Sequence, residues 1–463
     1  MTHASLPSEL LLLIAEYFAP EEATSPIFVC RAWHDVFASV IWRTYSINAL
    51  TQLSLDVLIN HSHLVTELTY KGCTIPLEYL SIPFTRLTHL TLDSGFTGFF
   101  GEEALSHFAD LVALNNQLEE LVIHGQSFAA EDTFWSSVAS RPHLRRLTLE
   151  RCSMESKGFA PFWRSLIRVE QLTIHRYRSI DTEDFFYHEL EPLPALHSID
   201  LDQVDMIPLL KLCANLRSIH WTRGFRFNRH FLDELMILLQ GKSLQYLDSL
   251  VIYGVRDDRR LSLCLGAMDQ LKELVLPDGV VGRLSLNALR RHFPTLQQVL
   301  FSDISKVPSK AIQTIMESCP QLTSLIAPWL SASRILGGGQ WKCTKLRVLK
   351  ADIAIKDEKQ EAIRAQSREI FERLSKLEDL TALIIRGPTA ETTTRQGLDL
   401  RLESGLGQLS TLRNLRHLDF RFTKQNMSPE DVAWINTHWK RLEQVEGWCN
   451  EYGVLRCQPE PAE

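Results

Sequence analysis

The chain has 463 residues, 45% of them hydrophobic and 23% charged, with a formal charge of −7. That charge, with the charged residues well mixed, argues against a dedicated polyanion-binding surface, so nucleic acid is not an expected partner. The length exceeds one ordinary hydrophobic core, which leaves several domains or a repeat array whose units contact only their neighbours.

The first residues carry Glu9 and Glu16 around the apolar run Leu10 to Ile14 and no basic flank, so no signal peptide is expected. No stretch approaches the ~20 apolar residues of a membrane span, and the expectation is a cytoplasmic and/or nuclear protein with no membrane partner. Nine cysteines without a C-x-x-C pair read as reduced thiols in repeat cores, with no metal site and no cofactor.

Residues 1–47 show helical apolar spacing. Leu6, Leu10, Leu13, Ile14, Tyr17 and Phe18 share one broad face behind Ser5 and Pro7. Pro20 stops that helix. A second is expected from Ser25 and Pro26 through Val29, Cys30 and Trp33, and a third through Phe37, Val40, Ile41 and Trp42. So small a bundle cannot hide all this apolar surface, which points to a partner or to the end of an array.

From Asn48 a different pattern takes over. In RPHLRRLTLERCSM, Arg141 to Met154, the residues Leu144, Leu147 and Leu149 fall on L-x-x-L-x-L and Cys152 closes the phrase. Leu147 and Leu149 line one face of a short strand, and a lone strand cannot bury that face. The phrase recurs with first apolar positions at Val65, Leu87, Leu118, Leu144, Val169, Leu196, Leu216, Leu247, Leu271, Leu296, Leu322, Leu346, Leu380, Leu415 and Leu442, on average about 27 residues apart. This predicts an α/β leucine-rich-repeat solenoid of fifteen units over 48–448, with a curved parallel sheet inside and helices outside, and a tail at 449–463. Helices are expected at 102–114, 131–140, 229–239, 309–318 and 429–439, and an extended one at 356–378. Gly387 to Gly397 is a polar, threonine-rich loop, and Gly337 to Gly339 a flexible turn.

The N-terminal segment resembles the F-box: Leu6-Pro7, Glu9-Leu10, Ile14, Val29-Cys30-Arg31-x-Trp33 and Trp42-Arg43 stand where that pattern has them. The whole is similar to F-box and leucine-rich-repeat proteins, substrate receptors of SCF-type ubiquitin ligases. The resemblance implies docking on a Skp-type adaptor, and through it on a cullin scaffold, by Leu6, Pro7, Leu10, Ile14, Val29, Cys30, Trp33 and Trp42. The sequence departs from the family at Glu22, Ala23, Thr24 and Pro26, where the family shows Asp-Leu and further aliphatics.

No catalytic constellation emerges. The glycine run is followed by Gln340-Trp341 rather than Lys-Ser/Thr, and there is no H-E-x-x-H or G-x-S-x-G. Function must come from binding, by a non-catalytic receptor. Residues two, four and six after each first apolar position point to the concave strand face. There Val251, Val275, Leu300 and Ile326 form an apolar stripe with Tyr253 and Trp329 beside it and Lys350, Arg386 and Arg421 following, a candidate surface for a protein substrate. The alternative is a non-enzymatic scaffold whose N-terminal helices only cap the array.

Overall fold

Each leucine phrase becomes a short parallel strand that begins two residues after its first apolar side chain. The computed structural model describes residues 6–454 except 16, 20–21, 49–53, 73–76, 96–99, 129–132, 177, 180–189, 203, 223–227, 303–304, 357–358, 387–395, 424 and 451–452. Most of the loop 387–397 and of the tail after 448 therefore lies outside the described residues.

The chain forms two compact units, Met1–Leu216 and Arg217–Glu463. In the first, parallel strands stand in chain order at Thr44–Asn48, Glu67–Lys71, His89–Asp93, Glu120–His124, Arg146–Glu150, Gln171–His175 and Ser198–Leu201. In the second they stand at Ser218–Trp221, Ser249–Ile252, Glu273–Leu276, Gln298–Phe301, Ser324–Ser331, Val348–Ala354, Ala382–Ile384, His417–Asp419 and Gln444–Glu446.

The first apolar residue of every phrase but the last is at most 1% exposed; Leu442, in the terminal repeat, is half-buried. The next amide donates to the preceding repeat, as from Glu119 to Thr88 O and from Arg145 to Glu119 O, both at 2.8 Å. Register is thus set before the strand begins. Seven residues after the first apolar position, in seven of the repeats, the chain leaves the sheet through a left-handed residue. Gly72, Gly125 and Gly254 stand there with φ of 105°, 71° and 66°, and Arg151, Arg176, Asp278 and Phe422 hold φ of 56°, 51°, 61° and 63°. A side chain in that conformation costs ~1–2 kcal/mol.

The outer layer contains the expected helices, Glu102–Leu114 and Ser309–Ser318 at the expected bounds and Thr133–Ala139, Asn228–Gln240 and Pro429–His438 with slightly shifted ends. The extended helix is shorter than expected, Gln360–Leu374, but buries Ile363, Ile370, Phe371 and Leu374. The glycine run is not a loose turn. Gly339 N donates to Glu317 Oε1, while Arg373 donates to the carbonyls of Gly338 at 3.0 Å and Gly339 at 2.6 Å. A Cβ on Gly338 would collide with Gln313 and Glu317. Cysteines line the repeat cores: burial pushes the thiol of Cys152 up to about 11 and those of Cys213, Cys264, Cys319 and Cys343 up to about 12.

The N-terminal segment differs from the three-helix expectation. After the helix Ser8–Ala15 come two single 3-10 turns, Glu22–Thr24 and Pro26–Phe28, and then one long helix, Arg31–Arg43, that carries both Trp33 and Trp42. Ser25 makes no side-chain cap, and Cys30 is extended (φ −165°, ψ 174°), so the chain breaks there and restarts with His34 N donating to Cys30 O at 2.8 Å. The helix runs directly into the strand Thr44–Asn48, which pairs with Glu67–Lys71. The expected boundary at 47/48 falls inside this strand.

The register makes a contrast testable. Leu325 is 0% exposed, whereas its neighbour Ile326 lies half-buried on the opposite face. Leu325→Asp should cost more than ~4 kcal/mol, because it buries an unpaired charge, and Ile326→Asp only about 1 kcal/mol. Urea unfolding of the two variants checks this; equal losses would mean that both faces are core.

Candidate functional site

The face opposite the helices carries one ladder through each unit. In the first it runs Ser46, Thr69, Thr91, Val122, Thr148, Thr173, Asp200, each in register with the next. In the second it runs His220, Val251, Val275, Leu300, Ile326, Lys350, Ile384, Asp419, Glu446. The alignment expected from sequence is the one observed.

Of the predicted apolar stripe, Val275, Leu300 and Ile326 are half-buried on this face, but Val251 is only 7% exposed. His220 and Val275 flank it in register, and at that exposure it contributes to the floor and not to the surface. Tyr253 is 40% exposed. Trp329 owes its place to a bulge after Ala327, which sets it opposite Asp352 rather than one residue further along. Without the bulge Pro328 would occupy that position. The bulge therefore supplies an aromatic edge to the stripe.

The charged end of the stripe differs from expectation. Instead of presenting open charge, Arg386 and Arg421 both turn onto Asp419, whose side chain is 0% exposed. Arg386 Nε donates to Asp419 Oδ2 at 2.7 Å; Arg421 donates from Nη2 to Oδ2 at 2.8 Å and from Nε to Oδ1 at 3.1 Å, and its Nη1 reaches Glu446 at 2.8 Å. Burial pushes the Asp419 carboxyl up, but the hydrogen bonds from Arg421 and Arg386 outweigh it and hold it below the usual carboxylate range. His417, Asp419 and Glu446 bring three potential metal-ligating atoms within 4.8 Å of one another. The two guanidinium groups already occupy the carboxylates, so this cluster is an ion-pair knot rather than a cation site. Lys350 stands in register between Ile326 and Ile384.

Sequence reasoning passed over the polar face of the first unit. There histidines meet carboxylates of the next strand: His89–Glu120 at 3.6 Å, His124–Glu150 at 3.1 Å and His175–Asp200 at 2.8 Å. The hydrogen bond to Asp200 raises the His175 pKa against the opposing effect of burial. The signal was available in the residues two, four and six after each first leucine, but a cross-strand pair shows only once register is known.

The predicted docking residues of the N-terminal segment divide into two groups. Leu6, Pro7, Leu10, Val29 and Cys30 are exposed. Ile14 and Trp33 pack instead on the small core of Ala15, Ala23, Phe37 and Val40, with Trp33 stacked on Phe37 at 5.2 Å. Trp42 stacks on His61 of the helix Leu55–His61 at 4.4 Å, so it ties the segment to the first repeats. Four exposed apolar side chains join the first group that sequence reasoning did not assign to docking: Leu12, Leu13, Tyr17 and Phe28, the last two 87% and 84% exposed.

Residues 3–48 match the F-box-like family. The chain carries an F-box-like segment. No curated protein matches the chain. Among solved structures it is similar to a TLR13–ssRNA13 complex (15% identity, 85% of this chain and 62% of that one, TM-score 0.42). It is also similar to an internalin from Listeria monocytogenes (13% identity, 85% and 89%, TM-score 0.38) and to a Drosophila Toll–Spatzle complex (12% identity, 83% and 47%, TM-score 0.38). The F-box-like segment precedes leucine-rich repeats with an open strand face, and among the described residues no helix is long and apolar enough to cross a membrane.

Asp419→Asn should cost about 2 kcal/mol, less than the 3–5 kcal/mol of a fully buried broken pair because both arginines are partly open to water. A depressed carboxyl pKa stabilises above its unfolded value and the gain is lost as pH falls through the folded one. Wild-type stability should therefore fall steeply below about pH 4, and the variant's more gently. Denaturation midpoints from pH 3 to 7 decide; parallel curves would show that Asp419 is not the group.

Proposed function

We propose that the chain is the substrate-recognition subunit of an SCF-type ubiquitin ligase, with a Skp-type adaptor and a cullin scaffold as partners and no catalytic step of its own. The observation that carries this reading is the exposed apolar surface of the F-box-like segment. Leu6, Leu10, Leu12, Leu13, Phe28 and Val29 remain open to water while Phe37 and Trp33 fill the core behind them. Burying one such side chain is worth ~1.5–3 kcal/mol, so six together favour a partner strongly. The direct passage of Arg31–Arg43 into the strand Thr44–Asn48, and the Trp42–His61 stack, support a fixed attachment of that partner to the first repeats.

Substrate capture belongs in this reading to the open face of the second unit. Val275, Leu300 and Ile326, edged by Tyr253 and Trp329 and underlain by Val251, offer desolvatable anchors, with Lys350 and the Arg386–Asp419–Arg421 knot at one end. The same strand and stack also favour a second reading, a scaffold in which the helices merely cap the first strand.

Two experiments decide. On a sizing column the protein should co-migrate with a Skp-type adaptor at micromolar concentration, and Leu10→Asp with Val29→Asp should abolish this without lowering the repeats' stability; no co-migration of wild type leaves the scaffold reading. In cells, proteins whose ubiquitination depends on the chain should lose that dependence with Leu300→Asp or Ile326→Asp. Full retention in both variants would place the substrate elsewhere.

A further inference from the structure

Four outer helices of the second unit carry exposed positive charge in the first turn, where a helix disfavours it. A helix N-terminus bears a partial positive charge, so acidic residues stabilise its first turn and cations oppose it. The helices Ser8–Ala15, Leu55–His61, Gln360–Leu374 and Pro429–His438 follow this rule with Glu9, Asp56, Glu361 and the pair Glu430 and Asp431. In four consecutive repeats of the second unit an exposed cation stands in that first turn, in Asp258–Ala267 behind the half-buried Asp257 cap and Asp258. Arg229 begins Asn228–Gln240, Arg259 begins Asp258–Ala267, Arg283 begins Arg283–Leu289 and Lys310 begins Ser309–Ser318, with exposed Lys306 just ahead of the last.

Three nearby carboxylates, Asp233, Asp257 and Asp258, are engaged within the protein. Asp233 and Asp257 both hold Arg260, at 2.7 Å and 2.6 Å. Asp258 accepts from the amides of Gly282, Leu284 and Ser285 in the following repeat. Among the described residues Arg229, Arg259, Arg283, Lys306 and Lys310 enter no ion pair.

The same bonds show that these positions lie along one edge. Arg260 reaches back to Asp233 in the helix of Arg229, and Asp258 reaches forward to the start of the helix of Arg283. The bridge between Val280 and Lys306, with Lys306 N donating to Gly279 O at 2.9 Å, joins the next repeat.

We propose that this edge binds an extended acidic segment of a partner protein, on a different layer from the open face and independently of what that face captures. Helices packed side by side stand ~8–10 Å apart, and an extended chain advances ~3.3 Å per residue, so a carboxylate at about every third residue meets successive cations. A single row one cation wide fits a narrow chain. A membrane or a nucleic acid would bring a broad negative surface against a molecule whose own net charge is −7.

The test uses the full chain and a fluorescein-labelled oligoglutamate of about twelve residues, followed by anisotropy at low and moderate salt. Replacing Arg229, Arg259, Arg283 and Lys310 together by Gln should weaken binding at least about tenfold. Replacing the exposed Arg290, Lys342, Lys376 and Arg413 of the same unit by Gln should change it less than about twofold. The first variant should melt no lower than wild type, because its cations oppose the helix ends. The proposal is overturned if oligoglutamate does not bind, if the control variant weakens binding equally, or if the first variant melts lower. It is also overturned if oligothymidylate or phosphatidylserine vesicles bind the same four residues more tightly.

Discussion

Everything in this protein depends on the fact that a short strand with one leucine-lined face cannot be stable alone. Period-two alternation puts Leu147 and Leu149 on one side, and only the stacking of Leu121 before them and of Leu172 and Ile174 after them removes that side from water. The amide that follows each first leucine fixes register by bonding to the previous repeat before the strand starts. Burial of the leucines and alignment of the opposite face are thus a single event. Whatever the open face presents, it presents as columns.

Those columns explain how much of the fold was legible in the sequence. Fifteen leucine phrases predict fifteen strands, and the register follows because the period and the first apolar position are both visible in the residues themselves. The strand Thr44–Asn48 was not legible, since no leucine phrase precedes it and it follows a helix without a break. The break at Cys30 was likewise hidden: helical spacing continues across it, and only the backbone shows the extended residue.

The candidate site was legible in its apolar part and less so in its charged part. β-branched and aliphatic residues at a fixed offset announce a stripe, but the offset does not say which side chain its neighbours cover, and Val251 is covered. Arg386 and Asp419 are 33 residues apart in sequence, and nothing local shows that an arginine read as rim belongs to a buried carboxylate on the next strand. Trp329 reaches its column only because of a bulge, which no period predicts. The N-terminal segment teaches the converse. Its tryptophans look like contact residues by type, yet they are consumed in holding the segment together and to the first repeats, and the surface left open is made of Leu12, Leu13, Tyr17 and Phe28 as much as of the motif residues.

The departure of the chain from its strand, through a left-handed residue in seven of the repeats, separates two properties that a repeat protein would otherwise have to change together. Before it, the chain is bound to its neighbour atom by atom. After it, the backbone turns toward the outer layer, joined to its neighbours only by short pairs such as Ser127–Phe128 with Ser153–Met154, until the next first leucine. The interval from Val65 to Leu87 is 22 residues and that from Leu380 to Leu415 is 35, yet the strands that follow both are in register with their neighbours. Repeat length is free to vary while strand alignment is not, so insertions gather on the helical side and the open face keeps its spacing whatever the outer layer acquires.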